Sequence, residues 1–336
     1  MPEVEKSEEK SRLIKAYTAV ILSRTLDRKI VTSQRQGRVG FYTPTMGQET
    51  LQIGASMALE AKDLIYGYYR DVPFMLHRGV PMENIINQIM GNRDDSALGR
   101  QMPSHYSDKK RNFMSVQSPV AAHLPVAVGA AYAQKYRKTG AVVIATFGEG
   151  STSTPDFHAA MNMAAVFNLP LVFLCENNGW AISLPVEKQT IAEIWTKAAA
   201  YGMRGLRVNG NDMLETYEVV KEAVKRAREG KGPTLIDAIS FRMGPHSTSD
   251  DPTKYRTETV DEGSDRDPVV VTEKLLKAKG FIDDKLIESI KTRAQKIVDE
   301  KFEECAKIPA PDPKTAFEGV YAETTWMLEE EVRDIL

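Results

Sequence analysis

Two short polar turns in the middle of the chain carry residue types that bind a metal ion and a phosphate group. The first, Gly148-Glu149-Gly150, follows an apolar run, and the second contains Asn177-Asn178. The Glu149 carboxylate, the Asn178 amide and nearby loop carbonyls are hard oxygen ligands, which Mg²⁺ takes together with phosphate oxygens and water. The glycines allow close backbone approach to an anion. These residues predict a site for a diphosphate bridged by Mg²⁺.

The segment that holds these turns reads as a strand, a helix and a second strand. Residues 141–147 and 171–175 are apolar runs, and residues 155–168 between them suit a helix with Thr154 as its N-cap. This order and length predict a right-handed parallel βαβ unit. Both turns then lie at the carboxyl ends of neighbouring strands, the edge at which open α/β sheets bind ligands.

Other phosphate-binding motifs fit the first turn less well. Ser153 stands where G-x-G-x-x-G requires its third glycine, and the Gly-Lys-Ser/Thr of a P-loop does not follow. Two glycines beside an acidic residue are, alone, more often an ordinary strand-to-helix turn. The Asn-Asn pair after the next strand is what favours a metal–diphosphate site.

Together these residues resemble the thiamine diphosphate motif, G-D-G followed by N-N, with Glu149 in place of the more frequent aspartate. Residues 35–321 are similar to the α subunit of the decarboxylating component of 2-oxo acid dehydrogenase complexes, branched-chain type. The resemblance implies thiamine diphosphate and Mg²⁺ as cofactors. It also implies metal ligation by Glu149, Asn178 and the backbone carbonyl of Trp180.

The resemblance adds site residues from other segments. Tyr69 and Arg70 match positions that contact substrate and diphosphate, and a guanidinium offers paired donors to phosphate oxygens. His246, in the polar segment 242–267, matches a catalytic position, although a lone loop histidine is more often incidental. The expected cofactor-binding residues are Tyr69, Arg70, Ser118, Val120, Gly148, Glu149, Gly150, Ser151, Asn178 and His246.

Some positions depart from the family pattern. Ala122 and His123 stand where relatives with a potassium site have polar ligands, so we do not predict that ion, and the presence of a potassium site stays open. Glu176 replaces an arginine that touches phosphate in some relatives, which leaves Arg70 as the main cationic group for the diphosphate. One further position agrees with the family pattern: Ser247 matches a regulatory phosphorylation site of mitochondrial relatives.

The expected fold class is α/β: a thiamine diphosphate-binding fold, with a parallel sheet that carries helices on both faces. Residues 7–36 have the apolar spacing of a helix with one buried face. We expect one domain over residues 1–336, made of an N-terminal helical arm (1–36), an α/β core (37–267) and a C-terminal helical extension (268–336). Further helices are expected at 48–61, 82–91, 119–136, 213–228, 268–280 and 283–306, and further strands at 206–208 and 234–240.

Composition sets broad bounds on the class of protein. The chain has 336 residues, 42% hydrophobic and 27% charged, with a net charge of −2, which predicts a globular protein with neither a nucleic-acid nor a membrane partner. Cys175 and Cys305 make no disulfide framework. The acidic start, MPEVEKSEEKSRL, is unlike a signal peptide or presequence. We therefore expect a cytoplasmic location.

The resemblance implies the α subunit of a 2-oxo acid dehydrogenase of the 3-methyl-2-oxobutanoate (2-methylpropanoyl-transferring) type. This enzyme decarboxylates a 2-oxo acid and acylates the lipoyl group of a dihydrolipoyl acyltransferase. A β subunit in an α2β2 heterotetramer is expected to supply the glutamate that activates the cofactor, since Glu49 here reads as a helix-start charge. A pyruvate or acetoin dehydrogenase α subunit stays open, as does a non-catalytic diphosphate-binding or assembly subunit.

Overall fold

The computed structural model describes residues 3–335 and is built around a parallel five-stranded sheet with the order β1-β2-β3-β7-β6. Two very short strands, β4 and β5, pair separately as an antiparallel ribbon. The strands are β1 (Leu64–Tyr66), β2 (Val143–Gly148), β3 (Leu171–Asn177), β4 (Trp180–Ala181), β5 (Leu184–Pro185), β6 (Arg204–Asn209) and β7 (Thr234–Ile239). The expected βαβ unit is confirmed, and its register pairs Gly148 with Glu176, so that β2 and β3 end at the same level.

Helices cover both faces of this sheet within the described residues, as the fold class predicts. The α-helices are α1 (Glu3–Arg35), α2 (Glu49–Met57), α3 (Val72–His77), α4 (Met82–Met90), α5 (His123–Arg137), α6 (Pro155–Val166), α7 (Met213–Arg228), α8 (Pro268–Ala278), α9 (Asp284–Cys305) and α10 (Trp326–Ile335). No described helix is long and apolar enough to cross a membrane.

Alternation along the central strands divides the core between the two faces. Ile144 and Val172 point into a cluster with α2, α4 and α7, whereas Ala145 and Phe173 point into a cluster with α5 and α6. Successive side chains of a strand face opposite sides, so a fully apolar strand serves two cores at once. This arrangement leaves only the strand ends for polar chemistry.

The N-terminal helix α1 is packed into the body of the protein. The apolar positions of its first half are buried in a third cluster with residues of α2, α7, α8 and α9, whereas Ile30 joins the cluster of α2, α4 and α7. The helix therefore contributes directly to the position of α2 and of the segment that leads into α8.

Two predicted helices have different limits in the structure. α5 begins at His123 and not at residue 119, because Ala121 adopts a left-handed conformation (φ 65°) that interrupts a helical path. α2 ends at Met57 and not at residue 61, since the Glu60 N–H bonds to the Asp63 carboxylate in a separate turn.

Candidate active site at the carboxyl edge of the sheet

A cavity of about 370 Å³ lies over the carboxyl ends of β2 and β3. Every site residue predicted from the sequence lines it, although these residues come from five separate segments of the chain. They are Tyr69, Arg70, Ser118, Val120, Gly148, Glu149, Gly150, Ser151, Asn178, Trp180 and His246. The segments follow β1, β2, β3 and β7 or precede α5, so parallel strands bring them to one edge.

Glu149 is a carboxylate held at the floor of the cavity. Its side chain is 2% exposed, and its Oε2 accepts a hydrogen bond from the Asn178 N–H at 3.2 Å. Burial raises the pKa of Glu149, while backbone hydrogen bonds and the charges of Arg242 and Arg70 act in the opposite direction. A bound cation would favour the charged form of this carboxylate, which is the form that ligates a metal.

The polar atoms around Glu149 suit a metal ion and an anion. The Asn178 Oδ1 is buried and accepts no hydrogen bond from the described residues, and buried amide oxygens without a partner are uncommon in folded proteins. The Nε atom of Arg70, which also lines the cavity, is buried without an acceptor in residues 3–335. An oxygen ligand for Mg²⁺ and a donor for a diphosphate are therefore both left without a partner at this edge.

The turn at residues 148–151 is shaped by close approach of another strand. A Cβ atom at Gly150 would lie 2.8 Å from the Ala181 Cβ in β4, closer than two carbon atoms can pack. Thr154 caps α6 as predicted, because its side chain accepts a hydrogen bond from the Phe157 N–H.

Arg70 and His246 lie side by side on one wall of the cavity. The buried Arg70 guanidinium donates through Nη1 to the Pro44 carbonyl and through Nη2 to the His246 carbonyl at 3.1 Å, and Nη2 lies 3.4 Å from His246 Nδ1. The Tyr69 and His246 rings meet edge to face with centroids 6.0 Å apart. Burial, with the charges of Arg70 and Arg242, lowers the pKa of His246 to about 3, so the imidazole is neutral at pH 7.

The segment that carries His246 is attached to the site by its own arginines. Arg242 donates to the carbonyls of Trp180 at 3.3 Å and Ile182 at 2.9 Å. The carboxylate of Asp250 accepts from the His246 N–H at 2.7 Å and from the Tyr255 hydroxyl at 2.5 Å. The Trp180 carbonyl already accepts one hydrogen bond, and a second lone pair remains for the expected metal.

The positions that depart from the family pattern have structural explanations. Glu176 is fully buried behind the cavity, where Gln52 donates to its Oε2 at 2.8 Å and the Tyr68 hydroxyl at 3.1 Å. Burial, followed by the charge of Asp71, raises its pKa well above the ordinary value. His123 lines the cavity, and its Nε2 bonds to the Thr146 carbonyl at 2.8 Å.

Glu49 does not line the cavity, in agreement with its expected role as a helix-start charge. It is buried, its Oε2 accepts from the Gly47 N–H at 2.8 Å, and its Oε1 pairs with Arg24 Nε at 2.5 Å. A carboxylate held in this way has no free face toward the cavity.

Sequence reasoning missed several cavity residues, among them Tyr68, Gln117 and Ile182. It also did not predict the contact of His105 with Ser118, at 2.5 Å. No spacing signal marks these residues, because each reaches the cavity through a loop whose path depends on distant segments.

A larger cavity of about 810 Å³ lies beside the first, over β6 and β7, and shares Asn178 and Trp180 with it. Its arginines are already paired, Arg207 with Glu193 at 2.6 Å and Arg266 with Glu258 at 2.8 Å. In residues 3–335 no three His, Cys, Asp or Glu side chains are grouped as metal ligands, so a metal in the smaller cavity would rest on one carboxylate with neutral oxygens.

The comparisons of this chain with known proteins agree with one another on a single protein family. The sequence model described as "Dehydrogenase E1 component" matches residues 17–314. The chain is 40% identical over 310 residues to the 2-oxoisovalerate dehydrogenase subunit alpha of Bacillus subtilis (strain 168), covering 91% of this chain and 94% of that protein. It is 40% identical over 319 residues to the mitochondrial 2-oxoisovalerate dehydrogenase subunit alpha of Homo sapiens, covering 94% of this chain and 71% of the relative.

Proposed function

Because the chain belongs to the dehydrogenase E1 component family, we propose that it acts as the α subunit of a branched-chain 2-oxo acid dehydrogenase. In this function it takes part in the oxidative decarboxylation of a 2-oxo acid such as 2-oxoisovalerate and in the reductive acylation of a lipoyl group. The observation that carries the proposal is the convergence of eleven predicted residues, from five segments, on one cavity.

The polar atoms of the cavity support thiamine diphosphate and Mg²⁺ as its ligands. Glu149 would hold the metal together with the free Oδ1 of Asn178 and the Trp180 carbonyl. Arg70 and the backbone at Gly150 and Ser151 would neutralise the remaining diphosphate charge. When bound, thiamine diphosphate supplies the carbanion chemistry by acting as an electron sink.

We propose that the His246 imidazole, which lines the cavity, holds or moves a proton of the bound substrate. Its low pKa keeps it neutral at pH 7, so that one ring nitrogen can donate a hydrogen bond and the other can accept one. The hydrogen bond from Arg70 to its carbonyl, and the one from its N–H to Asp250, fix the backbone on which the ring turns. An anion bound next to Arg70 would screen the positive charge of the guanidinium. The pKa of His246 would then rise toward neutral pH.

Exposed apolar side chains on α5 and α6, and one at the cavity, support a protein partner. On α5, Val126 is 47% exposed, and on α6, Val166 is 71% exposed; Val120, which lines the cavity, is also exposed. Large apolar side chains left exposed on neighbouring helices are typical of protein–protein interfaces. We propose that the β subunit of an α2β2 heterotetramer binds this surface. The lipoyl-bearing dihydrolipoyl acyltransferase would then bind at the opening of the cavity, next to both subunits.

For the organisation of the chain we keep the proposal made from the sequence, which is one domain over residues 1–336, with a helical arm (1–36), an α/β core (37–267) and a C-terminal extension (268–336). The two buried cysteines, Cys175 and Cys305, are free thiols, which suits a reducing compartment. We keep the cytoplasm as the proposed location.

The direct test is a substrate comparison with the chain assembled with its β subunit, thiamine diphosphate and Mg²⁺. Lipoyl acylation is followed with 2-oxoisovalerate, pyruvate and acetoin as competing substrates. We expect the largest kcat/KM with 2-oxoisovalerate and no turnover by this chain alone. A preference for pyruvate or acetoin would change the substrate, whereas cofactor binding without turnover on any of the three would point to a non-catalytic subunit.

A further inference from the structure

The imidazole of His105 is paired with the hydroxyl of Ser118 at the rim of the cavity. His105 Nε2 lies 2.5 Å from Ser118 Oγ, and His105 Nδ1 lies 3.3 Å from the Pro103 carbonyl oxygen. A carbonyl oxygen can only accept, so the Nδ1 that faces it carries the ring proton. Nε2 then accepts the Ser118 O–H, and the lone pairs of Ser118 Oγ are left for a ligand in the cavity.

The loop that carries His105 is held on both sides of the imidazole. Gln88, a buried residue of α4, accepts from the His105 N–H at 3.1 Å and donates to the Met102 carbonyl at 2.8 Å. The preceding residue, Ser104, is buried in a left-handed conformation (φ 70°), and its Oγ accepts from Thr43 Oγ1 at 3.1 Å. A non-glycine residue keeps this conformation only where its surroundings enforce it. The ring nitrogen is therefore presented at a fixed point.

The segment that carries Ser118 is equally defined. Residues 117–121 all line the cavity, and the segment ends in the left-handed Ala121 (φ 65°), which turns the chain into α5. Two strained turns thus face each other across one short hydrogen bond. Strain of this kind is concentrated where a side chain must be placed accurately.

We propose that His105 is a positioning residue for Ser118. It holds the hydroxyl hydrogen of Ser118 away from the cavity, so that the serine oxygen accepts a hydrogen bond from an N–H or O–H group of the bound ligand. The inference rests on the proposed function, in which the cavity holds thiamine diphosphate and a 2-oxo acid. It adds His105, which lies in the same connection between α4 and α5 as Ser118, 13 residues earlier.

A double-mutant cycle in the α–β assembly tests the pairing. Ser118→Ala and His105→Phe are each expected to lower kcat/KM for a 2-oxo acid by about 5-fold, the scale of one hydrogen bond, and the double variant by no more than either single one. His105→Gln is expected to restore most of the loss, since its amide oxygen can accept the serine hydroxyl. His158→Phe is the control, because His158 also bonds a hydroxyl, that of Tyr201 at 2.5 Å, but this hydroxyl, unlike that of Ser118, does not belong to a residue that lines the cavity.

A second readout does not depend on turnover. Nitrogen-15 spectra of the histidine-labelled assembly are expected to show the Nδ1–H tautomer for His105, and the Ser118→Ala variant is expected to shift the His105 Nε2 resonance alone. Losses that multiply to about 25-fold in the double variant, or an Nε2–H tautomer in the wild-type protein, would overturn the inference. An assembly that shows the Nδ1–H tautomer but acts on no 2-oxo acid would support the pair and refute the proposed function.

Discussion

Replacing Arg24 should cost more stability than replacing any exposed arginine of α1, although Arg24 touches no cavity residue predicted from the sequence. Its side chain is 4% exposed and contacts two buried carboxylates, Glu49 at 2.5 Å and Asp267 through both oxygens at 3.0 Å. Arg24→Met fills a similar volume but leaves both carboxylates buried without a cation. Breaking a buried ion pair from one side costs about 3–5 kcal/mol.

The neighbouring Arg28 is the matched control. It lies on the same helix and pairs with Glu262, but the two side chains are 51% and 39% exposed. Exposed pairs contribute at most about 1 kcal/mol, so Arg28→Met should change stability little. Differential scanning calorimetry of the α–β assembly measures both variants. With an unfolding entropy of about 2.1 cal/mol/K for each of the 336 residues, these free energies correspond to a fall in Tm of about 4–7 °C for Arg24→Met and at most about 1.5 °C for Arg28→Met.

The triple variant Arg24→Met, Glu49→Gln, Asp267→Asn separates lost charge from lost packing. With no unpaired charge left inside the protein, it should recover at least half of the Tm lost by Arg24→Met, and Asn at position 267 can still cap α8. If Arg24→Met melts like Arg28→Met, burial of this ion pair does not have the energetic weight assigned to it. If the triple variant is less stable than the single one, uncompensated charge is not the cause of the loss.

The remaining predictions concern the cavity, the segment 242–267 and His77. Glu149→Gln should abolish Mg²⁺-dependent binding of thiamine diphosphate in a calorimetric titration; unchanged affinity would reject Glu149 as a ligand. His246→Ala should fold normally, by circular dichroism, yet lose at least about 10²-fold in kcat, and a near-normal rate would make His246 incidental. Trypsin should cut residues 242–267 more slowly once Mg²⁺ and cofactor are bound, and equal rates in both states would uncouple this segment from the cavity. Burial lowers the pKa of His77 from 6.5 to about 4. Between pH 6.5 and about 4 the unfolded chain therefore binds a proton at His77 that the folded chain does not. Stability measured by Tm should therefore fall as the pH drops below 6.5, and this fall should be smaller in His77→Gln; an identical pH dependence would contradict the assignment.

The amino-acid sequence alone determined the central βαβ unit of this protein and the two polar turns at its carboxyl edge. The strand, turn, helix and strand from β2 to β3 are local structures, set by apolar runs, by Thr154 as the cap and by glycines at the turn. The carboxyl edge of a parallel sheet then gathers the polar turns in one place, whatever the details of packing. For this reason Glu149 and Asn178 were predicted together before any contact was known.

Tertiary structure alone decided the contacts between segments far apart in the chain. α5 begins later than its apolar pattern predicts, because Ala121 must turn the backbone to line the cavity. The bonds of Arg24 to Asp267 and of His105 to Ser118 follow from helix packing and loop paths, which leave no periodic signal in the sequence. Hydrophobic spacing reports which face of an element is buried, but the partner of a polar side chain depends on where the other elements end.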